Sequence, residues 1–328
     1  MILAGDIGGT KTELALFENV KTRKIIKQEK FPSKDYKSLE EIIQKFISSS
    51  SISPTQACFG IAGPIENNIC YTTNLPWIID GKKIETLLNI SSVFLINDLE
   101  ANAWGIPCLK ENELYVLAEG NKNQKGNRAL ISAGTGLGEA GLYYDGKNHI
   151  PFASEGGHCN FAPTNEEEIE ILRFLQHKHK HVSYERLLCG AGLLNIYLFF
   201  IEEKKEKELP ELLEKFTITD PAQCIYEYGS TGKCPVCKKA IEIFISIYGS
   251  EAGNMALKFL ALGGIYIGGG IAPKMLNELK EGPFLKSFTQ KGRFNKLLST
   301  IRIQVILNPH TALLGAGNYA EYQKNKLL

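Results

Sequence analysis

The 328-residue sequence has no large excess of charge of either sign. It contains 37 lysines and arginines against 36 aspartates and glutamates, so the formal net charge is +1. Proteins that bind nucleic acid through its phosphates usually carry a clear basic excess. The charge balance therefore argues against a nucleic-acid partner.

The sequence also has little that could cross or enter a membrane. No basic segment followed by an apolar run begins the chain, since Asp6 falls inside the first apolar stretch. The most apolar stretch, residues 257–271, contains Lys258 and five glycines. This composition is typical of a buried strand with a tight turn and not of a membrane span. We therefore expect a cytoplasmic protein with no membrane partner.

A dense group of cysteines is absent as well, because the eight cysteines are scattered along the chain. This distribution is typical of reduced thiols in the cytosol. Cys234 and Cys237 have the spacing of a metal or redox pair, with Cys224 ten residues upstream. No fourth ligand is evident, so buried or half-exposed thiols near a helix start are the first interpretation and zinc is the alternative.

Two further charged segments have an ordinary structural interpretation. The run HKHKH at residues 177–181 either ends a helix that begins near Asn165, where cations suit the helix dipole, or binds a metal. The charged run at residues 202–215 contains a proline and is typical of a solvated surface connection.

The sequence does contain glycine-rich turns between predicted strands. The segment AGDIGGTKTEL, residues 4–14, continues after Gly9 with β-branched and apolar residues and no helical stripe. It therefore predicts a hairpin over residues 2–7 and 10–17, unlike a dinucleotide-binding strand–turn–helix. Backbone N–H groups in such a turn can bind an anion, although a turn that only needs positive φ has the same pattern.

Strands and helices alternate after this hairpin. The pattern predicts strands over residues 25–31, 56–64 and 92–98, helices over 38–48 and 99–106, and a loop over 71–77. In the second half, residues 127–146 again predict strand, glycine turn and strand. A third glycine cluster, residues 263–276, predicts a strand followed by a helix that opens at Pro273. The length favours two domains, and the repeated order predicts a duplicated fold whose two glycine turns face each other.

Six motifs together resemble the bacterial glucokinase family, within the superfamily of sugar kinases, actin and heat-shock ATPases. The resemblance extends from Gly5 to about Gly317. The motifs are GDIGGT (5–10), IND (96–98), GTGLG (134–138), EGGH (155–158), HVSYERLLCG (181–190) and GGGIAP (268–273). The resemblance implies an α/β fold of two ribonuclease-H-like domains that flank a cleft. The small domain is expected to hold residues 1–107 with 311–328, and the large domain residues 108–310.

The resemblance also implies how a sugar is bound and activated. Asp98 is expected to be the general base on the sugar 6-hydroxyl, although its position also suits a helix N-cap. The expected sugar ligands are Asn97, Asp98, Glu155, His158 and Glu185. Glu185 alternatively suits the first turn of a helix capped by Ser183, and His158 a structural histidine. Asn74 either reaches the sugar or belongs to a structural loop.

ATP and Mg²⁺ are the cofactors that the resemblance implies. Asp6 is expected to orient Mg²⁺ through water, while the role of Lys11 stays open. The expected ATP-binding residues are Gly5, Asp6, Ile7, Gly8, Gly9 and Thr10 in the first turn, Gly134, Thr135 and Gly136 in the second, and Gly269 and Gly270 near the adenosine.

The implied reaction is the ATP-dependent conversion of glucose to glucose 6-phosphate. A kinase for fructose, mannose or an N-acetylhexosamine is the alternative, and polyphosphate is an alternative donor. A sugar-responsive repressor would need a DNA-binding segment before the hairpin at residue 5, and a chaperone-type ATPase should lack the sugar ligands. The family pattern also implies a homodimer.

Overall fold

The computed structural model describes residues 1–48, 53–72 and 74–326. The chain divides into two compact units. The first holds Met1–Glu113, Ile150–Ala153 and Asn308–Leu328, and the second holds Leu114–His149 and Ser154–Leu307. The domain limits expected from the sequence stay a prediction.

The first unit begins with the predicted hairpin and is built on a five-stranded sheet. Its elements up to Gly105 are β1 (Ile2–Ile7), β2 (Lys11–Asn19), β3 (Lys24–Pro32), α1 (Leu39–Ser48), β4 (Gln56–Ile61), β5 (Ile65–Glu66), β6 (Ile69–Tyr71), β7 (Ile78–Asp80), α2 (Gly81–Leu88), β8 (Val93–Asn97) and α3 (Asp98–Gly105). The sheet order is β3-β2-β1-β4-β8, with β1 antiparallel to β2 and parallel to β4. The strands β5, β6 and β7 form a separate small sheet.

The second unit repeats this scheme on a six-stranded sheet. The elements from Leu114 to Ile306 are β9 (Leu114–Ala118), β10 (Arg128–Ala133), β11 (Leu137–Tyr144), β12 (His149–Ser154), α4 (Glu166–Lys178), α5 (Gly190–Leu198), α6 (Pro210–Phe216), α7 (Pro221–Ser230), α8 (Pro235–Lys258), β13 (Ile265–Gly268), α9 (Leu276–Lys280), α10 (Pro283–Thr289), α11 (Asn295–Leu298) and β14 (Ile303–Ile306). Of these, Ile150–Ala153 of β12 are grouped with the first unit. The order is β12-β11-β10-β13-β14-β9. A glycine hairpin followed by parallel strands therefore occurs twice, which confirms the predicted duplication.

The C-terminal helix α12 (Thr311–Lys326) completes the first unit. It packs on α3 and on one face of the sheet, in a core that includes Ala4, Phe17 and Trp104. The crossing is close, because a Cβ at Gly105 would overlap the carbonyl of Thr311 and one at Gly315 would overlap the carbonyl of Ala101. Only glycine at these two positions lets the helix backbones approach so far.

The opposite face of the same sheet packs on α1. Strand β1 alternates between the two faces, so Leu3 and Ile7 join Ile42 and Phe46 of the α1 core while Ala4 faces α12. The sheet is therefore covered on both sides, as buried parallel strands require.

The core of the second unit is organised around the 24-residue helix α8. The hydroxyl of Tyr248 accepts a hydrogen bond from the N–H of Ala133 at 3.3 Å, where β10 ends. The backbones of α8 and α10 also approach closely, because a Cβ at Gly253 would lie 2.5 Å from the carbonyl oxygen of Phe288. Within the described residues, we find no helix with the length and apolar character that a bilayer crossing needs.

The prediction that a helix begins at Pro273 is wrong. Residues 269–275 form turns, and the following helix α9 begins at Leu276 and has five residues. The N–H of Ile271 bonds to the carbonyl of Ala133 at 3.3 Å, and both Lys274 and Met275 donate to the carbonyl of Ile271 at 3.0 Å. These bonds hold the chain against the end of β10, so a regular helix starts only afterwards.

The other local predictions on helix ends are confirmed. Helix α4 begins after Asn165, whose side chain caps it, and ends at Lys178, within the HKHKH run. All eight cysteines lie in the described part of the chain and are free thiols. Cys234 caps α8 through its sulfur, which accepts from the N–H of Cys237 at 3.3 Å, and both thiols are buried. Burial is also the main cause that raises the pKa of Cys237.

Candidate active site

The first glycine turn is fixed from outside by hydrogen bonds. The N–H of Gly8 donates to the carbonyl of Lys11 at 2.9 Å, and the hydroxyl of Ser33 donates to the carbonyl of Gly8 at 2.7 Å. A Cβ at Gly9 would lie 2.7 Å from Cβ of Asn74, so the loop that carries Asn74 rests on the turn. Thr10 is exposed beside these groups. The turn is therefore rigid and has backbone accessible to a ligand.

Asp6 lies near two other carboxylates of the first unit. Burial, and then the charges of Asp98 and Glu13, raise the pKa of Asp6 to about 7. Glu13 is the residue opposite Asp6 across the β1–β2 ladder, and its carboxylate contacts Nδ1 of His310 at 3.2 Å. The structure thus brings together Asp6 and Asp98, which the sequence placed in separate motifs.

Asp98 is the first residue of α3, and Asn97 occupies the N-cap. The side-chain oxygen of Asn97 accepts from the N–H groups of Leu99 at 2.9 Å and Glu100 at 3.4 Å. The N-cap interpretation of Asp98 is therefore wrong, although its Oδ1 also accepts from Leu99 at 2.9 Å. A half-buried carboxylate at this end of a helix is stabilised by the helix dipole.

Both the oxygen and the nitrogen of the Asn97 amide make hydrogen bonds to the backbone. Besides capping α3 through oxygen, it donates from Nδ2 to the carbonyl of Gly63 at 3.4 Å. These bonds fix the side chain beside Asp98, at the carboxyl end of β8, which is where open α/β sheets bind ligands.

In the second unit, the glycine turn is joined directly to Glu185. The N–H of Leu137 donates to Oε2 of Glu185 at 3.0 Å, and a Cβ at Gly136 would lie 2.6 Å from that oxygen. The N–H of Gly190 donates to the carbonyl of Gly134 at 3.0 Å. Residues 134–136 and the HVSYERLLCG motif are therefore one assembly.

Glu155, His158 and Glu185 lie side by side. His158 has its Nε2 atom 3.9 Å from Glu155 and its Nδ1 atom 3.9 Å from Glu185. Their side chains are 85%, 58% and 29% exposed, so polar groups of this cluster remain accessible. Ser183 does occupy the N-cap of the short helical turn Tyr184–Arg186, without a side-chain capping bond. The three predicted sugar ligands of this unit form one cluster.

A cavity of about 730 Å³ opens beside the second glycine turn. Its lining includes Thr135 and Gly270 from the predicted ATP motifs, together with Asp220, Gln223 and Tyr226 of the α7 region. The last three residues were missed because no motif marks α7. The one local signal was the Asp220–Pro221 pair, which is typical of a helix start.

Gly269 stands at the edge of this assembly with a φ of 83°, a conformation that favours glycine. A Cβ there would overlap the backbone of Ala133. By contrast, a Cβ at Gly134 or Gly270 would meet nothing within 4 Å. The fold itself therefore requires glycine at 269 and leaves open space at the other two.

The described residues contain no group of three or more His, Cys, Asp or Glu side chains able to hold a metal ion. The carboxyl of Asp6 nevertheless suits a hard cation, since a cation there would offset the repulsion between Asp6 and the charges of Asp98 and Glu13. A cation coordinated mainly by water and substrate oxygens fits this donor set better than a fully protein-coordinated ion.

Comparison with known proteins agrees with this arrangement. The family model described as Glucokinase matches residues 3–323. A glucokinase of Nostoc punctiforme is 40% identical over 96% of this chain and 97% of its own length. The chain belongs to the glucokinase family.

Solved structures share the whole fold. The crystal structure of glucokinase from an Antarctic psychrotroph is 31% identical, with a TM-score of 0.85 and 98% of each chain covered. A ROK family glucokinase from Streptomyces griseus, solved in complex with glucose and AMPPNP, is 18% identical with a TM-score of 0.66, over 98% of this chain and 99% of that one. The predicted two-domain actin-like ATPase fold is confirmed.

Proposed function

We propose that this protein is a glucokinase that transfers the γ-phosphoryl group of ATP to the 6-hydroxyl of glucose. Family membership over residues 3–323 supports the reaction. The observation that carries the chemistry is Asp98, a half-buried carboxylate at the end of β8 with Asp6 nearby. Phosphoryl transfer needs a positioned proton acceptor and stabilisation of negative charge. Asp98 would supply the first, and a cation held at Asp6 would supply the second.

Asp98 acts as the general base. It accepts the proton of the 6-hydroxyl as that oxygen bonds to the γ-phosphorus, while the bond from phosphorus to the departing ADP oxygen breaks. The N–H of Leu99 donates to Oδ1 of Asp98 at 2.9 Å, which holds the carboxylate at the start of α3. Asn97, fixed by its capping bonds, holds the carboxylate of Asp98 and the sugar in fixed relative positions.

The other sugar ligands come from the second unit. Glu155, His158 and Glu185 offer carboxylate and imidazole groups to the sugar hydroxyls, which need several polar partners because the ring has little apolar area. Their mutual contacts near 3.9 Å support a shared role. The exposed Asn74 stays a candidate sugar contact beside its place in the loop on Gly9.

ATP is the proposed donor. The complex of the Streptomyces griseus relative with AMPPNP supports ATP over polyphosphate. The proposed phosphate contacts are the turn residues Gly8, Gly9, Thr10, Gly134, Thr135 and Gly136, with Gly5, Asp6 and Ile7 forming the strand that leads into the first turn. Gly269 and Gly270 border the adenosine, which occupies the cavity of about 730 Å³.

Mg²⁺ is the proposed partner of ATP, held through water by Asp6. When bound, the ion neutralises charge that develops on the phosphate oxygens. Asp6 would hold the ion's water shell beside Asp98 and Glu13. Burial, and then the charges of these two residues, raise the pKa of this carboxyl to about 7.

We also propose a cytoplasmic homodimer with domain limits at residues 1–107 plus 311–328 and 108–310. The resemblance to the family supports these three statements. Light scattering coupled to gel filtration tests the dimer directly, and a monomer mass at micromolar concentration would contradict it.

The function is tested by following ADP release with glucose, fructose, mannose and N-acetylglucosamine, and with ATP or polyphosphate as donor. Asp98→Asn should lower kcat on glucose by about 10²- to 10⁴-fold, the usual contribution of a general base. Asp80→Asn is the matched control, because Asp80 also lies at a helix start of the first unit, where its carboxylate caps α2 by accepting from the N–H of Lys82 at 2.9 Å.

Two results would contradict the proposal. If the enzyme releases no more ADP with glucose than with water alone, the glucokinase assignment is wrong. An Asp98→Asn enzyme as fast as the Asp80→Asn control would remove Asp98 as the base while leaving the kinase in place.

A further inference from the structure

Glu139 is a buried carboxyl with no part in the proposed chemistry. It lies on β11, three residues after the glycine turn, and is 2% exposed. Its Oε2 atom fills the space that a side chain at Gly156 would need, and a Cβ at Gly157 would overlap the carbonyl of Leu137. The EGGH loop therefore rests directly on Glu139 and its strand.

One oxygen of this carboxyl is unsatisfied. Oε1 of Glu139 is fully buried and has no hydrogen-bond partner among the described residues. A buried polar atom without a partner is costly, so its presence needs a reason. The titratable and charged groups that face Glu139 are Tyr248, Glu251 and Lys258, all from α8.

Helix α8 reaches the second sugar-binding segment through Asn254. The amide nitrogen of Asn254 donates to the hydroxyl of Tyr184 at 3.0 Å and to Oε2 of Glu251 at 2.7 Å, while its oxygen accepts from Lys291 at 2.7 Å. All of these bonds fix one orientation of the amide. Tyr184 is buried and directly precedes Glu185 in the chain.

The two contacts meet at the ion pair of Glu251 with the half-exposed Lys258. Glu251 is fully buried and is bound by Lys258 at 3.1 Å, and its charge acts on Glu139. Glu139 thus supports the segment that carries Glu155 and His158, and Asn254 supports the segment that carries Glu185. Both supports belong to one rigid network on the last turns of α8.

We propose that Glu139 and Asn254 are positioning residues for glucose, which hold Glu155, His158 and Glu185 at fixed spacing from behind. This inference rests on the proposed glucokinase function. Neither residue touches the substrate, and each acts by holding the backbone that carries a sugar ligand. The network makes sugar affinity depend on the state of Glu139.

The charge state of Glu139 supports this role. Burial, and then repulsion from Glu251, raise the pKa of Glu139 to about 8, with Lys258 acting in the opposite direction. At neutral pH the carboxyl is therefore mainly uncharged and packs against the loop. Above about pH 8 it becomes a second carboxylate beside Glu251, and the repulsion pushes the EGGH loop away from its support.

The experiment measures KM for glucose, KM for ATP and kcat of the full-length protein between pH 7 and pH 9.5. At pH 7, Glu139→Ala and Asn254→Ala should each raise KM for glucose by about tenfold, because small displacements of binding groups have large effects on binding. In both variants kcat and KM for ATP should change by less than about threefold. Ser246→Ala is the matched control, since it removes a 2.8 Å hydrogen bond from the same helix outside the network.

Glu139→Gln separates a positioning role from a merely structural one. Glutamine keeps the shape and a hydrogen-bond donor but has no ionisation, so KM for glucose at pH 7 should match that of the wild type within about twofold. As pH rises through about 8, KM of the wild type should climb toward that of Glu139→Ala, while Glu139→Gln should show no such rise. The ratio of the two enzymes' KM values for glucose at each pH removes the effect of every titratable group that both enzymes share.

The outcomes are distinct. A wild-type enzyme with no glucose turnover overturns the proposed function and this inference with it. An active wild type, combined with unchanged KM for glucose in both alanine variants or with identical pH profiles for wild type and Glu139→Gln, overturns only the inference.

Discussion

Each half of the molecule has an acid with a raised pKa beside a glycine hairpin, and the charges around the two acids differ. Asp6 lies on β1, and the nearby charges that act on it, those of Asp98 and Glu13, are negative. Glu139 lies on β11 and has Glu251 on one side and the ammonium of Lys258 nearby. Burial raises the pKa of both, to about 7 and about 8.

This difference in surroundings suits the two carboxyls, each of which is costly to desolvate, to different roles. A carboxyl among other carboxylates, at the entry to an accessible turn, suits a cation that arrives with substrate. A carboxyl sealed behind a loop, with one oxygen unsatisfied, suits a retained proton. Under the two proposals, the same duplicated scaffold uses Asp6 for chemistry and Glu139 for support.

The sharpest test of this contrast replaces each acid by its amide. Asp6→Asn should lower kcat/KM for MgATP by about 10- to 100-fold, the usual cost of losing a group that holds a metal through water. Glu139→Gln should leave the same quantity almost unchanged at pH 7. Initial rates at varied MgATP concentration measure kcat/KM for both variants. Equal losses of kcat/KM would contradict the different roles given to Asp6 and Glu139.

The close helix crossings offer a second comparison between the units. Gly315→Ala in α12 and Gly253→Ala in α8 should each lower the free energy of unfolding by about 1–3 kcal/mol, the usual cost of overpacking. The added methyl overlaps the backbone of Ala101 in the first case and of Phe288 in the second. Urea unfolding measures the effect, and Gly134→Ala, which meets nothing within 4 Å, is the control. If the two variants unfold with the same free energy as Gly134→Ala, the helices can move apart at these crossings without loss of stability.

The glycine turns themselves should respond differently to a methyl group. Gly134→Ala should leave stability unchanged but raise KM for ATP by roughly up to tenfold, about 1.4 kcal/mol, because its open space is proposed to hold phosphate. Gly9→Ala should also shift the loop of Asn74, whose Cβ lies 2.7 Å from the new atom, and so lower the melting temperature. Unchanged KM for ATP in Gly134→Ala would contradict a phosphate contact there.

Local patterns predicted most of the scaffold that carries the candidate site. Alternating apolar residues around Gly8 and Gly134 indicated both hairpins, because turn chemistry and strand pairing act within a few residues. The same local reasoning placed the starts of α4 and α3 within one residue. It failed at Pro273, because the hydrogen bond from the N–H of Ile271 to the carbonyl of Ala133, 138 residues before Ile271, delays the helix.

Contacts between distant segments could not be predicted in this way. Nothing near Glu139 in the sequence indicates that Glu251 will face it, since the partner is more than a hundred residues away and no motif marks either residue. The cavity residues Asp220 and Gln223 were missed for the same reason. The spacing of Cys234 and Cys237 was informative only once the helix start was known, because the first cysteine caps α8.

The return of α12 to the first unit has a consequence for how the protein is made. A ribosome releases the chain from its N-terminus, and domains fold as their residues emerge. All residues of the second unit, Leu114–His149 and Ser154–Leu307, are available before Thr311 has been synthesised. The half that is begun first is therefore completed after the other half, and one apolar face of its sheet must wait uncovered until the residues of α12 have been made.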